Sequence, residues 1–204
     1  MTGYRVVNLG ILIEELGEDT VKDILSGFSC PLNPDVEEFL KHKAVDFAKQ
    51  SWAQTHLVFA SFKNQWVLVG YFALASKHIT ITSKFLYKQS KTLRKRISKF
   101  ATYDSELKSY IMSAPLIAQL GKNYTENYNS LITGDELLEE ACHKISRIQF
   151  DLGGKFAYLE CEDKLKLLEF YSSNGFCEFD RRVLDKDETG LDGEYLVQML
   201  KYIR

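Results

Sequence analysis

Two stretches of the chain hold residues whose types and spacing could do chemistry. The first is 115–136, where an apolar run, a polar loop and the start of an amphipathic helix follow one another, with Gly134 at the junction. Backbone N–H groups at a helix start lack intrahelical acceptors and the dipole there is positive, so such a junction binds phosphate without requiring a particular side chain. Gly134 lets the backbone come close to a ligand. Asp135 and Glu136 suit the dipole, yet they would repel a phosphate if they turned inward. One glycine before a helix is also the mark of an ordinary loop, so the junction alone leaves both readings open. The second stretch is LEFYSSNGF at 168–176, where Tyr171 lies on a short helix beside a tight turn at Gly175. By itself Tyr171 reads as a core or boundary tyrosine.

Other reactive residue types do not converge. Cys30, Cys142, Cys161 and Cys177 lie far apart, with no Cys-x-x-Cys pair and no His-x-x-x-His, so metal-ligand spacing is absent. The expectation is free thiols in a cytoplasmic protein without a leader or membrane span. His42, His56, His78 and His143 are scattered and read as surface or satisfied histidines. Glu160, Glu162 and Asp163 come shortly before Tyr171, but carboxylates at a strand end are usually solvated, and no general base is assigned.

With 26 basic and 28 acidic residues the net charge is -2, so no global basic field points to nucleic acid. Residues 84–100, KFLYKQSKTLRKRISKF, depart locally from that balance, with seven Lys/Arg and no acid. The spacing of Lys84, Lys88, Lys91, Lys95 and Lys99 predicts one helical face, leaving Phe85, Leu86, Leu93, Ile97 and Phe100 to pack inward. The bland reading is a solvated helix. The sharper reading is a face that meets a phosphate-rich partner.

The elements that must position these residues are legible from periodicity. Residues 36–50 read as a helix, with Asp35 and Glu38 spaced as a cap and Pro34 marking its boundary. THLVFASF (55–62) and WVLVGYFALAS (66–76) read as a hairpin around Lys63-Asn64-Gln65, the second run apolar enough for a central strand. SAPLIAQL (113–120) is a buried strand, 121–134 a polar loop, and 135–148 a helix capped by Thr133 and Glu136. FAYLEC (156–161), 176–183 and 195–203 are strands. The helix at 164–175 ends on Gly175 in the left-handed position. With no linker, repeat or low-complexity tract, the reading is a single domain over 1–204, of class α/β (α+β).

Four of these stretches, in order, resemble the GNAT superfamily of N-acetyltransferases, and most of all its branch of toxin–antitoxin acetyltransferases. FSCPLNPDVEEFLKHKA (28–44) resembles that branch's Phe-x-Cys/Ser, polar turn and helix. THLVF with VGYFAL is similar to the central hairpin, and APLIAQL with TGDELLEEA to the acetyl-CoA strand, loop and helix. LEFYSSNGF is similar to Phe-Tyr-x-x-x-Gly-Phe. The resemblance implies a mixed, mostly antiparallel sheet flanked by helices, and acetyl transfer from acetyl-CoA to an amine. It implies that the strand matching Leu116 to Leu120 splays from its neighbour and pairs with the pantetheine arm, with Gln119 and Leu120 among the contacts. The backbone amides of Ile132, Thr133, Gly134 and Asp135 would hold the pyrophosphate. Tyr171 would protonate the departing thiolate, since a phenol stays protonated at neutral pH. The loop departs from the family's Gln/Arg-x-x-Gly-x-Gly/Ala: here Asn129-Ser-Leu-Ile132-Thr-Gly134 keeps only the last glycine. Two rivals follow, a toxin that acetylates aminoacyl-tRNA and an acyl-CoA-binding module that has lost catalysis. A homodimer is compatible with all three.

Overall fold

The computed structural model describes residues 3–185 and 193–203. Contacts gather the chain into two compact units, one of residues up to 75 with 117–143, the other of 76–116 with residues from 144 on.

In the first unit β1 (Tyr4–Asn8) leads into α1 (Leu9–Leu16) and α2 (Glu18–Ser26). A helical run follows, made of α3 (Pro34–Glu38), a π turn (Phe39–Lys43) and α4 (Ala44–Lys49). The sequence predicts this helix over 36–50 with a cap at Asp35. The structure starts it earlier, on Asn33, whose side chain accepts from the Val36 amide at 3.3 Å. Pro34 then fills the first helical position, where its fixed φ fits and its missing N–H costs nothing. Asp35 is left free to accept from Gln119 Nε2 at 2.9 Å.

β2 (Gln54–Phe62) and β3 (Gln65–Thr82) form the expected hairpin, antiparallel and closed by Lys63 (φ 49°) and Asn64 (φ 62°). Two successive positive φ values match a turn whose twist suits the strands. β3 runs on past the 66–76 run to Thr82. The strand order here is β1-β2-β3-β5, with β5 spanning Ser109–Lys122, so the 66–76 run is central, as its apolar character demands. Val69 has no opposite number in β2, because Val58 faces Gly70 and Phe59 faces Leu68. The bulge turns the Val69 carbonyl to the Asn123 amide, 2.8 Å away, which fixes the end of β5.

Tyr71 is the hub of this unit's core. It is fully buried, its hydroxyl donates to the Val36 carbonyl at 2.6 Å, and Phe28 and Phe39 pack on its ring at 5.3 and 6.3 Å. Gly121 passes so close to α3 that a Cβ there would lie 2.2 Å from Val36 Cγ1.

The second unit has strand order β3-β5-β6-β8-β7, from β6 (Phe156–Glu162), β7 (Cys177–Val183) and β8 (Tyr195–Tyr202), with β4 (Thr102–Asp104) pairing β5. The β4–β5, β6–β8 and β7–β8 pairs are antiparallel. Between the strands expected at 176–183 and 195–203, residues 186–192 lie outside the described residues. α7 (Gly134–Leu152) begins in the first unit and ends in the second, which also holds α8 (Leu165–Ser173). The mixed, antiparallel-dominated α/β class is the class expected from the sequence.

The basic segment departs from the single helix its spacing predicts. It forms α5 (Ser83–Tyr87) and α6 (Lys91–Phe100), separated by a break at 88–90. Ser90 causes the break, because its hydroxyl accepts from the Leu93 amide at 3.2 Å and starts a new helix. Lys84 and Lys88 therefore leave the stripe formed by Lys91, Lys95 and Lys99. The inward set holds: Leu86 and Ile97 are buried, and Phe85, Leu93 and Phe100 pack on the same core.

Candidate active site

The junction at 122–136, read from the sequence as a polar loop, is built by backbone tied down through several hydrogen bonds. Asn123 is buried and fully used: Nδ2 donates to the Leu68 carbonyl, and Oδ1 accepts from the amides of Ser29 and Thr125. A 3-10 stretch (Thr125–Leu131) follows, with Glu126 and Asn127 at φ 50° and 65°. Its end is tied down twice. Lys122 Nζ donates to the carbonyls of Asn129 and Ile132 at 2.8 and 3.0 Å, and the Tyr4 hydroxyl donates to the Leu131 carbonyl at 3.1 Å. Tyr4 belongs to a segment where the sequence predicts no element, because five residues of strand give too little periodicity to find it.

Thr133 and Glu136 make the predicted capping box. The Thr133 amide and hydroxyl each donate to the Glu136 carboxylate at 2.8 Å, and the Glu136 amide donates to the Thr133 hydroxyl at 3.1 Å. These bonds from Thr133 hold the Glu136 carboxyl below its ordinary pKa, so it is charged at neutral pH. Of the four residues whose amides were expected to bind a pyrophosphate, Thr133 is thus already engaged by a carboxylate. Gly134 and Asp135 occupy the first helical turn, and buried Ile132 precedes it. A phosphate fits here if it uses the Gly134 and Asp135 amides or displaces Glu136, with Lys122 nearby as a cation. Gln119 and Leu120 lie in β5, each half-buried, with Gln119 turned to Asp35. Six of the expected donor-site residues thus belong to the first unit, and Tyr171 to the second.

Tyr171 is positioned by the end of its helix. The Phe176 amide donates to the Tyr171 carbonyl at 3.0 Å and the Gly175 amide to the Ser172 carbonyl at 3.0 Å, with Gly175 at φ 81°. This pair of bonds is a Schellman closure, in which residue C″ packs on residue C3. Here those residues are Phe176 and Tyr171, whose rings sit 6.0 Å apart edge to face, with the Phe170 ring 4.9 Å from Tyr171. Burial, with Cys161 adding to it, pushes the phenol well above its ordinary pKa. Among the described residues its hydroxyl has no hydrogen-bond partner, so the proton is not committed elsewhere in the fold. Burial and the nearby Asp163, Glu162 and Glu178 push the Cys161 thiol up to about 11, which keeps it neutral.

The carboxylates before Tyr171 are each claimed by a cation: Glu160 by Arg182 at 2.7 Å, Glu162 by Lys164 at 2.8 Å, Asp163 by Arg181 at 2.5 Å. None is placed as a base. His42 and His143 sit four residues after Glu38 and Glu139 on exposed helix faces, and His56 is buried against Phe72.

No protein-family model matches the chain, and no curated protein matches its sequence. Solved structures do resemble it. AtaT complexed with acetyl-methionyl-tRNAfMet superposes with a TM-score of 0.61 at 15% identity, covering 95% of this chain and 93% of AtaT's. A Tyr-to-Phe variant of KacT gives 0.59 at 13% identity over 97% and 94%. AtaTR bound with AcCoA gives 0.53 at 13% identity over 97% and 93%. At such identity the likeness shows the fold, and it agrees with the GNAT-like sheet expected from the sequence. No helix among the described residues is long and apolar enough to cross a membrane.

Proposed function

We propose that residues 1–204 act as one acetyl-CoA-dependent N-acetyltransferase domain whose acceptor is the amine of an aminoacyl-tRNA. The observation that carries the enzymatic part is Tyr171, a packed phenol with an uncommitted proton, set by a Schellman closure in the motif where the resemblance expects the general acid. A protonated phenol is the right state for this step, because a leaving thiolate needs a proton and a half-buried phenol with a raised pKa still has one across the physiological range.

In the proposed reaction the neutral amine attacks the thioester carbonyl, the carbon–sulfur bond breaks, and Tyr171 gives its proton to the sulfur. The proton lost by the new amide nitrogen restores the phenol through solvent. With Glu160, Glu162 and Asp163 all ion-paired, the amine arrives deprotonated rather than being relieved of a proton by a dedicated base. The amides of Gly134 and Asp135 hold the pyrophosphate, and the backbone at Gln119 and Leu120 pairs with the pantetheine arm.

Support for an RNA-borne acceptor comes from α6. Its stripe of Lys91, Arg94, Lys95 and Lys99 stands at i, i+3, i+4 and i+8, unpaired with any carboxylate among the described residues. AtaT, similar in fold, is complexed with an acetylated aminoacyl-tRNA. The test is transfer of label from acetyl-CoA to charged tRNA, with deacylated tRNA, peptides and polyamines alongside. Label on charged tRNA alone supports the proposal. Label on peptides or polyamines alone overturns the acceptor, and no transfer with intact acetyl-CoA binding leaves a binding module.

A further inference from the structure

Two cavities on the second unit share a wall, one of them along the basic stripe of α6 and the other beyond it. The first is an open groove of about 520 Å³ along α6, lined by Lys91, Arg94, Lys95, Ser98 and Lys99. The second, of about 230 Å³, is bounded by Ser83, Tyr87, Arg94, Ser98, Tyr103 and Tyr110. Arg94 and Ser98 belong to both.

The second cavity has aromatic walls that the core does not require. Tyr87 is 78% exposed and Tyr103 51% exposed, although large aromatic rings ordinarily bury their area. Tyr103 is held opposite Tyr110 by the β4–β5 register, their rings 5.0 Å apart. Between the tyrosines and the basic groove stands Arg94, whose Nε is buried without a hydrogen-bond partner. A buried donor left unsatisfied in a cavity wall is uncommon and calls for an acceptor. The nearest acidic side chain in sequence, Asp104, is not that acceptor: its carboxylate takes the amides of Glu106 and Leu107, each at 2.9 Å.

We propose that this surface binds an unpaired nucleotide of an RNA, its base among Tyr87, Tyr103 and Tyr110 and its phosphates along Lys91, Arg94, Lys95 and Lys99. The size fits that division. The cavity is below the roughly 300–1,000 Å³ of whole-ligand clefts, so it takes one planar ring system and leaves the sugar and phosphate outside. Single-stranded RNA is recognised by stacking splayed bases on aromatic rings and Arg planes beside a basic track. A duplex keeps its bases stacked and cannot fill the cavity. This inference rests on the RNA-borne acceptor proposed above and adds to it an unpaired segment as the recognised feature.

The test is fluorescence anisotropy of the full chain with a short single-stranded oligoribonucleotide and with the same sequence as a duplex. The single strand should bind more tightly. Tyr87→Ala with Tyr103→Ala should weaken it roughly 5- to 150-fold, leaving its salt slope and the duplex affinity unchanged. Tyr87→Phe with Tyr103→Phe should restore the affinity, which a folding defect would not. Lys91→Gln with Lys95→Gln should flatten the slope by roughly 0.7 for each phosphate no longer neutralised. Equal binding of both forms, insensitive to the tyrosines, overturns the pocket. Transfer to charged tRNA, measured on the same proteins, separates the two ideas. Transfer without tyrosine-dependent binding defeats the pocket alone, and tyrosine-dependent binding without transfer defeats the acceptor alone.

Discussion

Glu136→Gln should tighten acetyl-CoA binding at little cost to the fold. The Glu136 carboxylate is charged and sits on the Thr133 amide and hydroxyl, both at 2.8 Å, at the helix end proposed for the pyrophosphate. A diphosphate on the neighbouring amides of Gly134 and Asp135 brings two negative charges to within roughly 6 Å of it, about one helical turn. In a water-like dielectric, proper to this half-exposed position, the repulsion is about 1.4 kcal/mol, roughly tenfold in affinity. Glutamine keeps an oxygen to accept the same two bonds, so the capping box survives. The loss is the charge–dipole attraction, about 0.3–1 kcal/mol. Isothermal titration with acetyl-CoA should therefore show a Kd several-fold to tenfold lower, with the melting temperature falling by a few degrees at most. An unchanged or raised Kd in a folded variant would place the pyrophosphate away from this helix end.

Three further outcomes follow from packing and charge. Gly121→Ala should cost about 1–3 kcal/mol in denaturant unfolding, because the added Cβ would overlap Val36 Cγ1 at 2.2 Å and the Asn123–Val69 bond fixes that end of β5. Tyr71→Phe should cost about 0.5–1.5 kcal/mol, since it removes the hydroxyl's bond to the Val36 carbonyl, which keeps the Phe39 amide as a donor. Glu18, held down to about 2 by Lys22 and Lys49, is lowered in the folded state relative to its ordinary 4.5. Its contribution is thus present above pH 4.5 and lost as pH falls toward 2, so Glu18→Gln should lower stability near neutrality, flatten the profile between pH 4.5 and 2, and converge on the parent below that window.

Much of the fold was legible because its apolar runs are long. The β2–β3 hairpin, β6, α7 and the Gly175 stop all stand where periodicity and turn residues put them. Three things were not. β1, α1 and α2 precede the first strong signal, and their buried residues Leu9, Val21 and Leu25 are too few per element to set a period. The basic stretch reads as one helix by spacing alone, while a single hydroxyl, Ser90, divides it. The 121–134 stretch reads only as a polar loop because its order comes from partners such as Asn123 with Ser29 and Leu68, far off in the chain, and from the Lys122 bond to the Ile132 carbonyl, neither of which leaves a periodic pattern. At the site, Tyr171 and the Thr133–Glu136 box were visible as motifs. What the box does to the Thr133 amide was not, because the same spacing serves a cap and a phosphate site alike.

The central claim, that Tyr171 is the acid of an acetyl transfer, is tested most directly by single-turnover transfer from labelled acetyl-CoA to charged tRNA with Tyr171→Phe. The hydroxyl makes no hydrogen bond among the described residues and the ring keeps its packing against Phe170 and Phe176. Stability and acetyl-CoA affinity should therefore match the parent while the rate falls about 10²–10⁴-fold. A variant that transfers at the parent's rate would contradict the assignment.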